Sequence, residues 1–249
     1  MKEKAYPLHE IAYVKMKQQG IKTWNERGGY PDVDPGEERF LLDAMAQPWF
    51  PQQGRVLDVG CGTGPFTRWF AWKGYTGLGI DISKTAIAMA KDQSKDMPLR
   101  FRVADICTLD PGRSPKFDVC LDGNCFHCII DPKDRMRMLV NCRQLLKPNG
   151  LFILKTMCSP ANVKNFNTDT VMKLFRNYIY VPHPRGDQFE EGRTFSGKPF
   201  FPNRYVGHWK DILSDVAKAG FSVEMFRFAN HTADEPCSGL AVCARVKQS

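Results

Sequence analysis

From residue 55 onward the chain alternates short apolar runs with stretches in which apolar residues recur every three or four positions. The runs "RVLDVG", "YTGLGID", "LRFRVAD", "KFDVCLDG" and "LFILKTM", starting at Arg55, Tyr75, Leu99, Lys116 and Leu151, predict five strands. Between them "PFTRWFAWKG", "SKTAIAMAKDQS" and "PKDRMRMLVNCRQLLKPNG" predict helices, the second capped by Ser83 and the third stopped at Gly150. Strands and helices in alternation predict a parallel sheet covered on both faces. Upstream, "LHEIAYVKMKQQG" predicts a short helix, "IKTWNERGGYPDVDPG" an ordered loop, and "EERFLLDAMAQPWF" a helix packed beside the first strand. After the fifth strand the alternation breaks. Residues 158–204 are rich in Pro, aromatics and Arg, with one short helical piece expected at "TDTVMKLFRNYI". A helix, "VGHWKDILSDVAKAG", and two strands, "FSVEMFRFAN" and "GLAVCARVK", close the chain.

Composition narrows the classes. At 249 residues and 43% hydrophobic, the chain can bury one good core. The formal charge of +8 would suit an acidic partner, but Lys and Arg are scattered among Asp and Glu. Without a basic tail or a spaced aromatic platform, a nucleic-acid partner is not expected. No apolar run approaches the roughly 20 residues that span a bilayer, and "MKEKAYPLHE" lacks the apolar segment of a secretory signal. Nine cysteines, an odd number with several on strands, suit reduced thiols. The expectation is a cytoplasmic protein, monomer or homodimer, with no membrane partner.

Chemistry concentrates in "VLDVGCGTGPFTRWF". A phosphate-cradling P-loop would need a lysine after the glycines, and none follows. The dinucleotide fingerprint needs a third glycine where Pro65 stands. What remains is Gly60, Gly62 and Gly64 in G-x-G-x-G, with Asp58 two residues ahead and Pro65 placed to open a helix. Asp81 ends the next strand, where nucleotide-binding α/β folds hold ribose hydroxyls. Asp105 ends the third strand and suits an adenine amino group.

"VLDVGCGTG", "GLGIDIS", "FRVADI", "FDVCLDGNCFHCIIDP" and "LLKPNGLFILKT", in this order, resemble the class I S-adenosylmethionine-dependent methyltransferases over residues 55–157. The resemblance implies a doubly wound, Rossmann-like α/β fold: a mainly parallel sheet of seven strands, the last antiparallel, with helices on both faces. It implies S-adenosylmethionine as cofactor, S-adenosylhomocysteine as product, and no metal. By position, Gly60, Cys61, Gly62 and Gly64 would meet the aminoacyl part, Asp58 would order the loop, and Asp81 with Ile82 would take the ribose. Asp105 and Ile106 would read the adenine, and Asp122 would complete the cofactor set. The segment after the fourth strand, "CFHCI", matches one that often reads Leu-His-His-Ile in small-molecule members of the family. His127 stands on the first histidine, a candidate base, and Cys128 on the second, with Asn124 beside the expected methyl position. Cys125 and Cys128 alone are a weak zinc signal.

The long stretch 158–204 exceeds a plain connection and rises from the same sheet end as the glycine loop. It is expected to cover the acceptor and to contribute little to cofactor affinity. Its anion-binding candidates are Arg185, Arg193 and Arg204, with Tyr205 beside them. Trp24, Arg27 and Tyr30 could belong to the same cover. The expected organisation is an N-terminal cap (1–50) and a methyltransferase domain (51–249) bearing the insertion. The expected activity is methyl transfer to O, S or N of a small metabolite; the alternatives are an RNA or protein methyltransferase and an inactive cofactor-binding scaffold.

Overall fold

The computed structural model describes residues 2–28, 32–113, 116–159, 166–167, 173–228 and 237–247. The main sheet holds β1 (Arg55–Val59), β2 (Thr76–Asp81), β3 (Leu99–Val103), β4 (Phe117–Gly123) and β5 (Leu146–Cys158), then β11 (Phe221–Phe228) and β12 (Ser238–Val246). Their spatial order is β11-β12-β5-β4-β1-β2-β3. β1 to β5 pair in parallel, whereas β12 runs antiparallel to both β5 and β11. Seven strands with only the last reversed match the expected architecture. Strands such as β1, buried at four of five positions, read as continuous apolar runs because helices cover both faces.

α5 (Pro132–Leu145) and α6 (Trp209–Lys218) pack on one face, where Leu139, Phe152, Val216 and Phe221 share a core. α2 (Pro35–Met45) and α3 (Pro65–Trp72) cover the other with Phe40, Phe70, Tyr75 and Val119. Ser83 caps α4 (Lys84–Gln93) as expected, its hydroxyl accepting from the Ala86 N–H. α5 ends at Leu145, five residues before the expected glycine stop, and Leu146 already pairs with Phe117. Pro148 explains this, because the residue before a proline is pushed out of the helical region and the proline has no N–H to give.

The stretch after β5 differs from its expected form. β6 (Phe166–Asn167), β7 (Lys173–Phe175), β8 (Tyr178–Pro182), β9 (Arg193–Phe195) and β10 (Lys198–Tyr205) build a second, antiparallel sheet in the order β6-β7-β8-β10-β9. Over the described part of "TDTVMKLFRNYI", residues 173–179, β7, a turn and the start of β8 stand in place of the expected helix. The turn residues Arg176 and Asn177 have φ of 46° and 66°, which no helix continues through. The N-terminal segment locks onto this sheet. Glu3 exchanges backbone hydrogen bonds with Gln188 and Glu190, and Ala5 and Leu8 share a small core with Phe189 and Phe201. α1 (His9–Gln18) then packs against the start of α4, where Tyr13 and Met16 share a small core with Ala86.

Among the described residues no helix is long and apolar enough to cross a membrane.

Candidate functional site

A cavity of about 390 Å³ opens over the carboxyl ends of β1, β2 and β4, where the strand order reverses direction. That crevice is where open α/β sheets take their ligands. Its floor is the loop after β1. Gly60 and Gly62 hold φ of 64° and 53°, a region closed to most side chains. A Cβ on Gly60 would sit 2.3 Å from that of Cys125, and one on Gly62 would sit 2.5 Å from the Tyr13 hydroxyl oxygen. The glycines therefore make room for the protein's own cavity walls.

Three carboxylates ring the floor. Asp81 accepts the Gly62 N–H at 2.9 Å on one oxygen and the Ser83 N–H at 2.8 Å on the other. A carboxylate offers about four acceptor positions, so each oxygen keeps one for a ligand. Burial pushes the Asp81 carboxyl up from its ordinary value, against these two N–H donors. Asp58 accepts the Thr67 hydroxyl at 2.6 Å on Oδ2, while its buried Oδ1 has no partner among the described residues. Burial raises its carboxyl to about 7. Asp105 accepts the Tyr6 hydroxyl at 2.9 Å and the Cys107 N–H at 2.8 Å. Cys61, Ile82, Ile106, Asn124, His127 and Trp24 also line the cavity, as expected from sequence.

The roof comes from the N-terminus and the second sheet. Tyr6, His9 and Tyr13 face the cavity, and none was singled out from sequence. Their spacing of three and then four residues, one face of a helix, was the available signal. His9 Nδ1 lies 2.8 Å from the Tyr6 carbonyl, and Arg204 Nη1 lies 3.0 Å from His9 Nε2. Burial, and then the Arg204 charge, hold His9 below its ordinary value. The neutral ring thus donates from Nδ1 to Tyr6 and accepts from Arg204 at Nε2. Glu10 latches α1 down, accepting the Ser83 and Thr85 hydroxyls at 2.5 and 2.6 Å. Burial raises its carboxyl, but these hydrogen bonds outweigh it and leave the group below its ordinary value.

His127 is placed differently from a free base. The Met157 N–H donates to its Nδ1 at 3.3 Å, and Thr156 Oγ1 lies at the same distance. In the neutral ring the proton therefore sits on Nε2, which is a donor. Its neighbour Cys128 lines the cavity. Burial pushes the Cys128 thiol up, yet the neighbouring His127 side chain and the Arg204 guanidinium outweigh it and hold the thiol below its ordinary value. The Cys128 thiol donates to the Asn124 carbonyl at 3.5 Å, and it is the group in this wall whose proton is held less tightly than usual.

Several expected residues stand elsewhere. Asp122 is fully buried and accepts the Cys125 N–H at 2.7 Å, so it shapes the turn after β4 and does not reach the cavity wall. Gly64, with φ of 83°, is the N-cap of α3, behind the wall. Tyr205 lies under the Arg135 guanidinium, 3.6 Å from its ring centre. Arg185 pairs with Glu3 on the surface, and Arg193 bonds the Tyr180 hydroxyl. Of the three arginines only Arg204 reaches the cavity. Tyr30 lies outside the described residues. Among the described residues no cluster of His, Cys, Asp and Glu is placed to hold a metal ion.

Residues 57–154 match the family model described as a methyltransferase domain. The chain is 28% identical over 168 residues to an EEF1A lysine methyltransferase 2 of Danio rerio, covering 63% of this chain and 68% of that one. It is 29% identical over 155 residues to a ubiquinone biosynthesis O-methyltransferase of Alkalilimnicola ehrlichii, covering 60% of this chain and only 59% of that one. An S-adenosylmethionine-dependent methyltransferase from Clostridium acetobutylicum superimposes with a TM-score of 0.62 at 18% identity, over 95% of this chain and all of that one.

Proposed function

We propose that this chain is a class I S-adenosylmethionine-dependent methyltransferase and that it methylates an O, S or N atom of a small metabolite. The observation that carries the reading is the closed roof. Tyr6, His9 and Tyr13, tied down by Glu10 and joined to Arg204, leave a cavity of about 390 Å³ with room for a cofactor and a compact acceptor.

The donor set fits the cofactor. Asp81 keeps acceptor positions for two ribose hydroxyls, and the unpartnered Asp58 Oδ1 suits the aminoacyl ammonium. Asp105, oriented by Tyr6, and the Ile106 backbone would face the adenine. When bound, the cofactor supplies an electrophilic methyl group on a sulfonium, open to in-line displacement. The chain's own work is to orient the acceptor and exclude water. Arg204 presents a cation on the cavity wall, with His9 and Asn203 as its hydrogen-bond partners, and suits an anionic group of the acceptor. Cys128, whose thiol His127 and Arg204 hold below its ordinary value, takes the acceptor's proton once ionised when the acceptor is a hydroxyl or an ammonium.

The lysine methyltransferase relative favours a second reading, in which a protein lysine enters the cavity. Labelled S-adenosylmethionine incubated with the protein and a cell extract, then separated into metabolite, protein and RNA fractions, decides between them. Label in the metabolite fraction is the expected result. Label confined to protein or RNA would reject the small-molecule reading.

A further inference from the structure

A second cavity, about 350 Å³, lies on the α2 face of the sheet and shares only the Phe66 ring wall with the first. Phe40, Leu41, Ile153 and Ala241 give it an apolar body. At its polar end Lys155, on β5, pairs with Glu37, in the first turn of α2. The Glu37 side chain is 7% exposed, and its Oε2 has no hydrogen-bond partner among the described residues. Burial pushes the Lys155 ammonium down to about 8, against the pull of the Asp34 carboxylate at the start of α2. Both arginines on the rim are occupied: Arg39 and Arg227 each bond Asp43.

A buried ion pair is retained at a desolvation cost unless its remaining lone pairs and protons are satisfied. Here Glu37 Oε2 lacks a donor, and Lys155 Nζ has N–H groups beyond the one that Glu37 engages. Glu37 and Lys155 cancel, and the nearby Asp34 carboxylate is engaged by the Gly36 and Glu37 N–H groups at the start of α2, so a charged head of either sign would meet a like charge close by. We propose that this cavity binds a small apolar molecule whose head is a neutral group that both donates and accepts hydrogen bonds, a phenol or a primary carboxamide. The head donates to Glu37 Oε2 and accepts from Lys155, while the body lies against Phe40, Phe66 and Ile153. Phe66 stands as a wall between the two cavities, so this ligand is a molecule separate from the methyl acceptor.

Ligand-observed NMR on protein saturated with S-adenosylhomocysteine, which fills the cofactor part of the first cavity, tests the site with p-cresol, benzamide, benzoate and benzylamine, and the variants at the second cavity tell the two cavities apart. The neutral pair should bind saturably and at least about tenfold more tightly than either ion. Ala241→Leu, which fills the body, and the paired replacement Glu37→Leu with Lys155→Met, which removes the head's partners without leaving a lone charge, should each weaken p-cresol by at least about tenfold. Two variants with unrelated chemistry keep the test valid if one fails to fold. No saturable binding of p-cresol or benzamide, ions bound as well as neutrals, or unchanged binding in a folded variant would overturn it.

Discussion

In the free protein Asp58 keeps its proton up to about pH 7, because burial opposes its charge. An ammonium docked at Oδ1 would favour the ionised form, so cofactor binding at about pH 6 should release a proton that binding at about pH 8 does not. Calorimetry in buffers of different ionisation enthalpy reads this directly, and Asp58→Asn should abolish it. A binding enthalpy independent of buffer at pH 6 would put the ammonium elsewhere. Cys128 carries a second test. Its lowered thiol leaves more thiolate near neutrality than an ordinary cysteine, and removing a neighbouring cation disfavours that thiolate. Arg204→Met should therefore move the pH midpoint of Cys128 alkylation upward and slow the reaction at pH 7, whereas saturating S-adenosylhomocysteine should protect the thiol. Equal midpoints in both proteins would remove Arg204 from the thiolate's surroundings. At this scale the sequence carried Asp58, Asp81 and Asp105, because each sits at a strand end at a spacing the fold imposes. It could not carry the tautomer of His127, which depends on the N–H of Met157, thirty residues away.

α1 has little amphipathic pattern of its own, and is held by what it touches. Ile11 and Val14 face outward at 64% and 37% exposure, while Tyr13 and Met16 are buried. The latch is Glu10, whose carboxylate satisfies Ser83 and Thr85 at the start of α4. Glu10→Ala removes hydrogen bonds to a charged group worth about 1.5–3 kcal/mol each, less the share lost to solvent exposure. Hydrogen exchange of the α1 amides should speed up and cofactor dissociation should quicken, with β1 to β5 unaffected. Because the Glu10 carboxyl is depressed in the folded state, the latch is present above the ordinary glutamate range and lost as pH falls through its lowered value. Unchanged exchange in α1 would show that packing alone holds it. The misread piece at "TDTVMKLFRNYI" belongs to the same scale. A short helical piece is expected there, but Lys173–Phe175 pairs with β8, a partner that periodicity cannot reveal.

Across the whole molecule the parallel sheet was legible because its runs and helices alternate with local regularity. The second sheet was not, since its strands are short and gain their stability from one another and from the N-terminus. That joint changes what the second sheet does. Leu8 and Ala5 pack on Phe189 and Phe201, and Arg204 meets His9, so the sheet supports the cofactor's roof as well as any acceptor. Phe189→Ala with Phe201→Ala should consequently lower cofactor affinity by about tenfold or more, although neither residue lines the cavity. Affinity equal to wild type, with the protein folded, would return the second sheet to an acceptor role alone. The central claim is that the glycine loop and Asp81 hold a nucleoside cofactor without phosphates. Calorimetric titration of wild type and Asp81→Ala with S-adenosylhomocysteine and with NAD tests it most directly. Wild type should bind S-adenosylhomocysteine and not NAD, and the variant should lose affinity by the about 1.5–3 kcal/mol of each charge-assisted bond; equal affinity in the two proteins, or tight binding of NAD, would contradict it.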